Sequence, residues 1–423
     1  MKRQIFVAMS LAASFCASAS LGFGQSRVCD PHTYGAKADG VTKDTHAIQA
    51  AIDHCAQKAG GIVKLSAGTF VSGPIVLKSA VTLEIDKGAT LLGSSDHADY
   101  RPKVEFRQPA VEPLVIATDA SHVSIVGGGV IDGAGESWWK MARGVKDAGV
   151  MGNHPRPRLV VFDHCTHVRV EGVTLQNSAF WQLVPYYSDD IIIRNIRVLA
   201  PANSPNTDAV DPFSSSNITI DHLYADVGDD DIAIKSGAIN SPGGDLLSKN
   251  IHITDSTFLH GHGLSVGSEI AGGMQNLVAE RIHFNGTANG IRVKANRDRG
   301  NDVGHLVFRD IDMKDVKTPI LISEYYPKAL PEGDVAAAPV THLTPFFHDI
   351  SIENLRAEGS EVAGVIFGLP ESRVERVVLK NVSIQATKGL TIGYAEVSGE
   401  NVSIQPQSGK PIVSLVGAKV SIK

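Results

Sequence analysis

The sequence predicts an all-β fold, a right-handed parallel β-helix with a short N-terminal capping helix. Three observations carry that expectation. A short apolar alternation led by a polar residue recurs along the chain. Glycine is abundant, at 41 of 423 residues, while aromatic residues make up only 6%, which favours many turns over a helical bundle. The hydrophobic share of 43% suffices for a large core, and no composition shift or low-complexity linker splits the chain into modules.

The alternation appears as HVSIVGGG at 122, HVRVEGVTL at 167, DIIIRNIRV at 190 and NITIDHLYA at 217. It continues as NIHITDSTF at 250, NLVAERIHF at 276, HLVFRDIDM at 305, DISIENLRA at 349 and RVVLKNVSI at 376. Successive starts mostly lie 23 to 33 residues apart, and two gaps of about 45 leave room for an extra turn or a long loop. Each unit adds a second short strand a few residues later and cannot bury its apolar face alone. Stacking on its neighbours builds one continuous core, the logic of a β-solenoid. Asn-Gly hairpin turns are scarce between the strands, which weighs against a sandwich.

The start of the chain differs. In DGVTKDTHAIQAAIDHCAQKAGG the apolar residues Ala47, Ile48, Ala51 and Ile52 follow helical spacing. Thr45 is the candidate N-cap and Gly60-Gly61 the stop, giving one amphipathic helix over the open end of the solenoid. Before it, residues 1–24 have a basic start, a short apolar stretch and small residues, the grammar of a secretory signal peptide. The expected organisation is a signal peptide over 1–24 and a single catalytic β-helix over 25–423. The mature protein is expected to be secreted or periplasmic.

Loss of the signal removes Lys2 and Arg3 and moves the formal charge from −6 to −8. That acidity disfavours nucleic acid, whose phosphates need a basic surface, and no mature segment reads as a membrane span. Of four cysteines, Cys16 leaves with the signal. Whether Cys29 and Cys55 pair is left open by the sequence; Cys165 reads as a lone buried thiol.

The period places four unusual patches on successive turns: NTDAVD (206–211), GDDDIAIKSG (228–237), GHGLSVGSE (261–269) and GIRVKA (290–295). Singly each has a bland reading. An Asp run is most often a solvated turn, or an oxygen-rich calcium site; a His-Gly pair is a turn, and Arg-x-Lys the solvent side of a strand. Stacked, they make a surface with clustered carboxylates, one histidine between glycines, and two cations on one side of a strand. Paired carboxylates are the machinery of glycoside hydrolysis, with one acid protonating the leaving oxygen and another carboxylate activating water. Mutual repulsion keeps one Asp protonated while its neighbours stay ionised. Arg292 and Lys294 suit an anionic group on the substrate, so the set points to a uronic acid polymer.

These residues resemble the polygalacturonases and relatives of glycoside hydrolase family 28, whose hallmarks are Asn-Thr-Asp, Gly/Gln-Asp-Asp, Gly-His-Gly and Arg-x-Lys in that order. YGAKADGVTKDT (34–45), GGGVIDGAGESWW (127–139), PRLVVFDHC (157–165) and NSAFWQLVP (177–185) extend the resemblance over nearly the whole mature chain. It implies that Asp229 is the general acid, and that Asp208 and Asp230 position and activate water on the other face. It further implies that His262 supports the acid, Asn206 orients the site, and Arg292, Lys294 and Tyr326 bind galacturonate, with Tyr325 the fallback for Tyr326. The implied reaction is inverting hydrolysis of α-1,4-linked polygalacturonan or pectin without a metal or other cofactor; separately, a monomer is expected. Two departures stand out. Arg-Val-Lys replaces the usual Arg-Ile-Lys, and Asp231 occupies a position that is often Cys, which excludes the disulfide some relatives place there. If strand alternation holds, Asp231 faces away from Asp230.

Alternatives remain open at this level. A rhamnogalacturonan hydrolase is the near alternative, although relatives with other substrates often lose Gly-His-Gly or Arg-x-Lys, both present here. A pectate lyase shares the solenoid but uses calcium, and a glycan-binding β-helix would carry no chemistry. Long loops expected over 140–156 and 327–347 could close one end of a cleft, which favours exo over endo action.

Overall fold

The computed structural model describes residues 27–105, 108–147, 155–237, 246–331 and 333–422; the signal segment 1–24 lies outside the described residues. Between Val28 and Ile422 the chain coils through three stacked parallel sheets, a right-handed parallel β-helix. The antiparallel exception among the described strands is a hairpin of Pro102–Glu105 with Gln108–Val111.

The recurring alternation is the inner face of the first sheet. Val123, Val168, Ile191, Ile218, Ile251, Leu277, Leu306, Ile350 and Val377 follow one another in register. None is more than 2% exposed. Each such side chain contributes about 1.5–3 kcal/mol by leaving water. Ile218→Ala, in the middle of the stack, is expected to lower stability by about 2–5 kcal/mol in urea titration, because rungs above and below prevent collapse of the cavity.

The polar residue that leads each alternation is part of the fold. His122, His167, Asp190, Asn217, Asn250, Asn276, His305, Asp349 and Arg376 all have positive φ, from 51° to 63°. The coil turns a corner there, and Asn, Asp and His tolerate the left-handed region better than β-branched residues do. Arg376 fits the column less readily and is held by its ion pair with Asp349, at 2.7 Å. Amides stacked along the column bond one another, Asn250 to Asn217 at 2.9 Å and Asn276 to Asn250 at 3.1 Å.

Helix α1 (Thr45–Gln57) covers the N-terminal end of the coil with Ala47, Ile48, Ala51, Ile52 and Cys55 buried. Its N-cap is Asp44 rather than Thr45. The Asp44 carboxylate instead accepts the amides of Lys37 and Ala38 at 2.7 and 2.9 Å, and the Thr45 hydroxyl accepts the Gly73 amide at 2.8 Å. These bonds tie the helix start to the coil, a tertiary use of residues that local grammar assigns to a cap. At its other end the Gly60 amide donates to the Cys55 carbonyl at 3.0 Å. A Cβ on Gly61 would stand 2.6 Å from the Arg27 carbonyl oxygen and 2.9 Å from Cys55 Sγ, so glycine is required there. Cys29 and Cys55 form a disulfide, while Cys165 is a buried free thiol.

The first long gap holds an element that sequence reading took for loop. Helix α2 (Glu136–Asp147) opens with a Glu136–Lys140 ion pair at 3.0 Å. The buried Trp138 packs with Tyr100, Ala179, Val111 and Met141, which pins α2 against the base of the hairpin. The described residues of the second gap, 324–331 and 333–345, form no strand or helix, as expected of a loop, which ends two residues short of 347 because Phe346 and Phe347 begin a strand. No helix among the described residues is long and apolar enough to cross a membrane.

Candidate active site

The third sheet carries the chemistry on its outer face. Ile232–Ile234 pairs with Leu264–Val266, which pairs with Asn289–Lys294, which pairs with Thr318–Ser323. Ile232, Ile234, Leu264, Val266, Ile291 and Val293 point into the core at 1% exposure or less. Period-two alternation therefore turns Ala233, Lys235, Ser265, Arg292 and Lys294 outward. The corners entering these strands bring Asn206–Asp208, Gly228–Asp231 and Gly261–Gly263 to the same edge. Backbone bonds lock them together: Ala209 N to Asp230 O at 2.9 Å, His262 N to Asp229 O at 2.8 Å, and Asp231 N to Gly263 O at 3.1 Å.

The three aspartates of the run have three different environments. Asp229 is partly open to solvent, at 22% side-chain exposure. Its Oδ1 meets His262 Nδ1 at 2.9 Å and accepts the Asp230 amide at 3.0 Å, and its Oδ2 accepts Asn206 Nδ2 at 3.4 Å. Asp230 is buried. Its Oδ1 accepts Arg292 Nη1 at 2.9 Å and Ser265 Oγ at 2.8 Å, and its Oδ2 accepts Lys294 Nζ at 2.8 Å. Burial alone would raise its pKa, but Lys294 and Arg292 outweigh that and hold it well below the usual carboxylate range. Asp231 turns away from both. Its Oδ2 accepts the Gly263 amide at 3.0 Å and lies 2.5 Å from where a Cβ on Gly261 would stand. Gly261 is thus demanded by Asp231, while Gly263 has a φ of 89° and a Cβ there would stand 2.1 Å from the Asn289 carbonyl oxygen.

Asp208 joins the group from the preceding rung, 3% exposed and with Oδ1 lacking a hydrogen-bond partner among the described residues. Burial first, then the charges of Asp211 and Asp229, push its carboxyl well above the ordinary range. Charge states are separated, with Asp230 held down and Asp208 pushed up, so the raised carboxyl is one that was expected to activate water. Tyr326 lies with its ring 5.0 Å from both Arg292 Cζ and Lys294 Nζ. Tyr325 packs instead with Phe367, Leu369 and Tyr394, so Tyr326 is the tyrosine at the site.

Every residue singled out from sequence therefore converges here, with one shift of emphasis. Arg292 and Lys294 were expected to face substrate, yet both are buried and bound to Asp230, at 8% and 4% exposure. Their first task in the folded chain is to neutralise that carboxylate. The structure also adds residues that sequence reading did not assign. Arg156 Nη2 donates to Asn206 Oδ1 at 2.7 Å, and Nη1 donates to the carbonyls of Ala179 and Pro205 at 3.0 and 2.8 Å. It arrives from the far side of the α2 insertion, and no local pattern announces it. Ser265, Lys235, Asp211 and Glu269 sit within the four patches, and strand alternation from Ala233 was the available signal for Lys235 and Ser265.

Donor atoms of Asp229, Asp230 and His262 lie within 4.8 Å of one another, a set that could hold a metal. The chemistry does not fit a divalent ion, because Arg292 and Lys294 already occupy both Asp230 oxygens with positive charge. A second set, Asp221, His222 and Asp255, is a row of corner residues on the surface, with Asp255 already paired to Arg281 at 2.9 Å.

The family model described as Glycosyl hydrolases family 28 matches residues 55–403. An endo-polygalacturonase of Pectobacterium carotovorum subsp. carotovorum is 31% identical over 404 residues, covering 90% of this chain and 95% of its own. Among solved structures, a hyperthermoactive exopolygalacturonase from Thermotoga maritima superposes with a TM-score of 0.78 at 26% identity, over 91% of this chain and 93% of that one. A polygalacturonase from Erwinia carotovora ssp. carotovora gives 0.69 at 26% identity, over 93% and 96%. With the fold, the four motifs and their geometry in agreement, the chain belongs to glycosyl hydrolases family 28 and is a glycoside hydrolase of the polygalacturonase type.

Proposed function

We propose that this protein hydrolyses α-1,4-galacturonosidic bonds of polygalacturonate or pectin with inversion at the anomeric carbon. The observation that carries the reading is the contrast at one strand edge: an accessible Asp229 held by His262 and Asn206, beside the buried Asp208 and Asp230. Asp229 gives its proton to the glycosidic oxygen as the bond from that oxygen to the anomeric carbon breaks. A water on the opposite face attacks the carbon and loses a proton to Asp208, while Asp230 orients it. One water is consumed, Asp208 returns its proton to solvent, and Asp229 takes one back. Lys294 retains ammonium protons beyond the one on Asp230, and the Tyr326 ring bounds the place where a uronate carboxylate docks.

Attack from a chain end is the reading favoured for the mode of action. Helix α2 and the hairpin, fastened together through Tyr100 and Trp138, stand on the N-terminal side of the site and support a closed end to the cleft. The relatives divide, with one named an endo-polygalacturonase and another an exopolygalacturonase. Export is proposed from the signal grammar of residues 1–24 and supported by the Cys29–Cys55 bond, which suits an oxidising compartment. A single chain supplies every named site residue, which supports a working monomer.

Product analysis of polygalacturonate digestion tests the function directly. Galacturonate monomer from the earliest time, undiminished by chelator, is expected. A ladder of oligomers makes the enzyme endo-acting, rhamnose-terminated products from a mixed backbone change the substrate, and an unsaturated, calcium-dependent product overturns hydrolysis.

A further inference from the structure

Beside the four motifs lies a buried charge cluster that the hydrolytic reading does not use. Lys235 is 5% exposed, its Nζ 3.2 Å from Glu269 Oε2, 3.9 Å from Asp211 Oδ2 and 4.8 Å from the centre of the Trp181 ring. Asp211 is fully buried, and neither of its carboxylate oxygens has a hydrogen-bond partner among the described residues. Asp208, three residues earlier in the same corner, also has an unpartnered oxygen. Asp211 acts on the charge of Asp208, so ionising both in this buried corner is costly.

The groups facing this pair come from rungs on both sides of it. Arg158 acts on Asp208 and Asp211 from two rungs before, Arg156 and Asp229 act on Asp208, and Asp230 acts on both. Glu269 binds Lys235 and also feels Lys294. Burial pushes the Asp211 carboxyl up to about 8 against the pull of Lys235, while the surrounding acids, Glu269 first, keep Lys235 charged against its own burial.

We propose that Lys235, held by Glu269, is a positioning residue whose fixed charge lets Asp208 and Asp211 share a single proton, leaving one carboxylate to accept the proton of the attacking water. The proposal rests on the hydrolase reading for its last clause alone. The shared proton is a property of the resting protein.

Its consequences have opposite signs at two neighbouring residues. Lys235→Met removes a cation, so the carboxylates ionise at higher pH. The acidic limb of kcat/KM on polygalacturonate then moves up by about one unit, a tenfold loss at fixed pH below the limb. Glu269→Gln removes an anion and frees Lys235 towards Asp211, so the limb moves down. Lys235→Arg restores the limb towards its original position. Infrared titration without substrate supplies a readout independent of turnover: a protonated-carboxyl band, assigned by its change in Asp211→Asn, titrates at higher pH in Lys235→Met. An unmoved limb and band in a folded Lys235→Met variant, or limbs that move the same way in Lys235→Met and Glu269→Gln, overturn the proposal. If the unaltered enzyme releases no galacturonate while the band behaves as stated, the hydrolase reading fails and the shared proton stands.

Discussion

Asp229→Asn is expected to lower kcat on polygalacturonate by about 10²- to 10⁴-fold while leaving the unfolding transition in place. Asparagine keeps the size of the side chain and retains an oxygen for His262 Nδ1 and the Asp230 amide, losing only the long contact from Asn206 Nδ2 at 3.4 Å. What is lost is the proton for the leaving oxygen. Two further readouts separate this from a general disturbance of the site. An aryl galacturonide, whose leaving group departs without protonation, should lose far less than the polymer. The alkaline limb of the pH profile, which reports the need for a protonated acid, should flatten. Equal losses on both substrates would place the acid elsewhere. A non-catalytic glycan-binding protein would have no activity for the substitution to remove.

The second large effect concerns the buried group of Asp230, Arg292 and Lys294. Replacing Asp230 by Ala leaves two cations buried without their carboxylate and is expected to cost about 3–5 kcal/mol of stability, besides activity. Its pH dependence has a definite sign. The folded-state pKa of Asp230 is held below the unfolded value, so its ionised form stabilises the fold above the ordinary carboxylate range. That contribution is lost as pH falls from about 4 through the folded pKa. Asp230→Asn should therefore unfold more easily than the parent at pH 7 and show a smaller loss of stability on acidification. Parallel stability profiles for the two proteins would exclude the ion pairs as a stabilising feature. Lys294→Met and Arg292→Met each leave one cation on Asp230, and each is expected to lose less stability than Asp230→Ala.

Much of the coil could be read from local pattern. The nine polar residues that lead the alternations mark corners with positive φ, and the apolar residues after them are the buried ladder, so strand, corner and period were legible together. The four motif patches fall on successive rungs because their separations match that period. Less local features were not legible. Helix α2 packs where Trp138 meets Tyr100 and Ala179, a contact that no local pattern announces. Thr45 has the chemistry of an N-cap, but its hydroxyl accepts an amide 28 residues away. Cys29 meets Cys55 where the docked helix α1 brings them together, 26 residues apart in sequence.

The sequence by itself determined the solenoid, its helical cap and the set of side chains at the site, because alternation, corner residues and period are local properties that every rung repeats. Tertiary structure decided what those side chains do to one another. Asp230 meets Arg292 and Lys294 across 62 and 64 residues, Asp229 meets His262 across 33, and Asp231 turns beneath a glycine of the next rung. A carboxylate's charge state is set by the groups that surround it after folding, and three adjacent aspartates acquire three environments because stacking gives each a different neighbour.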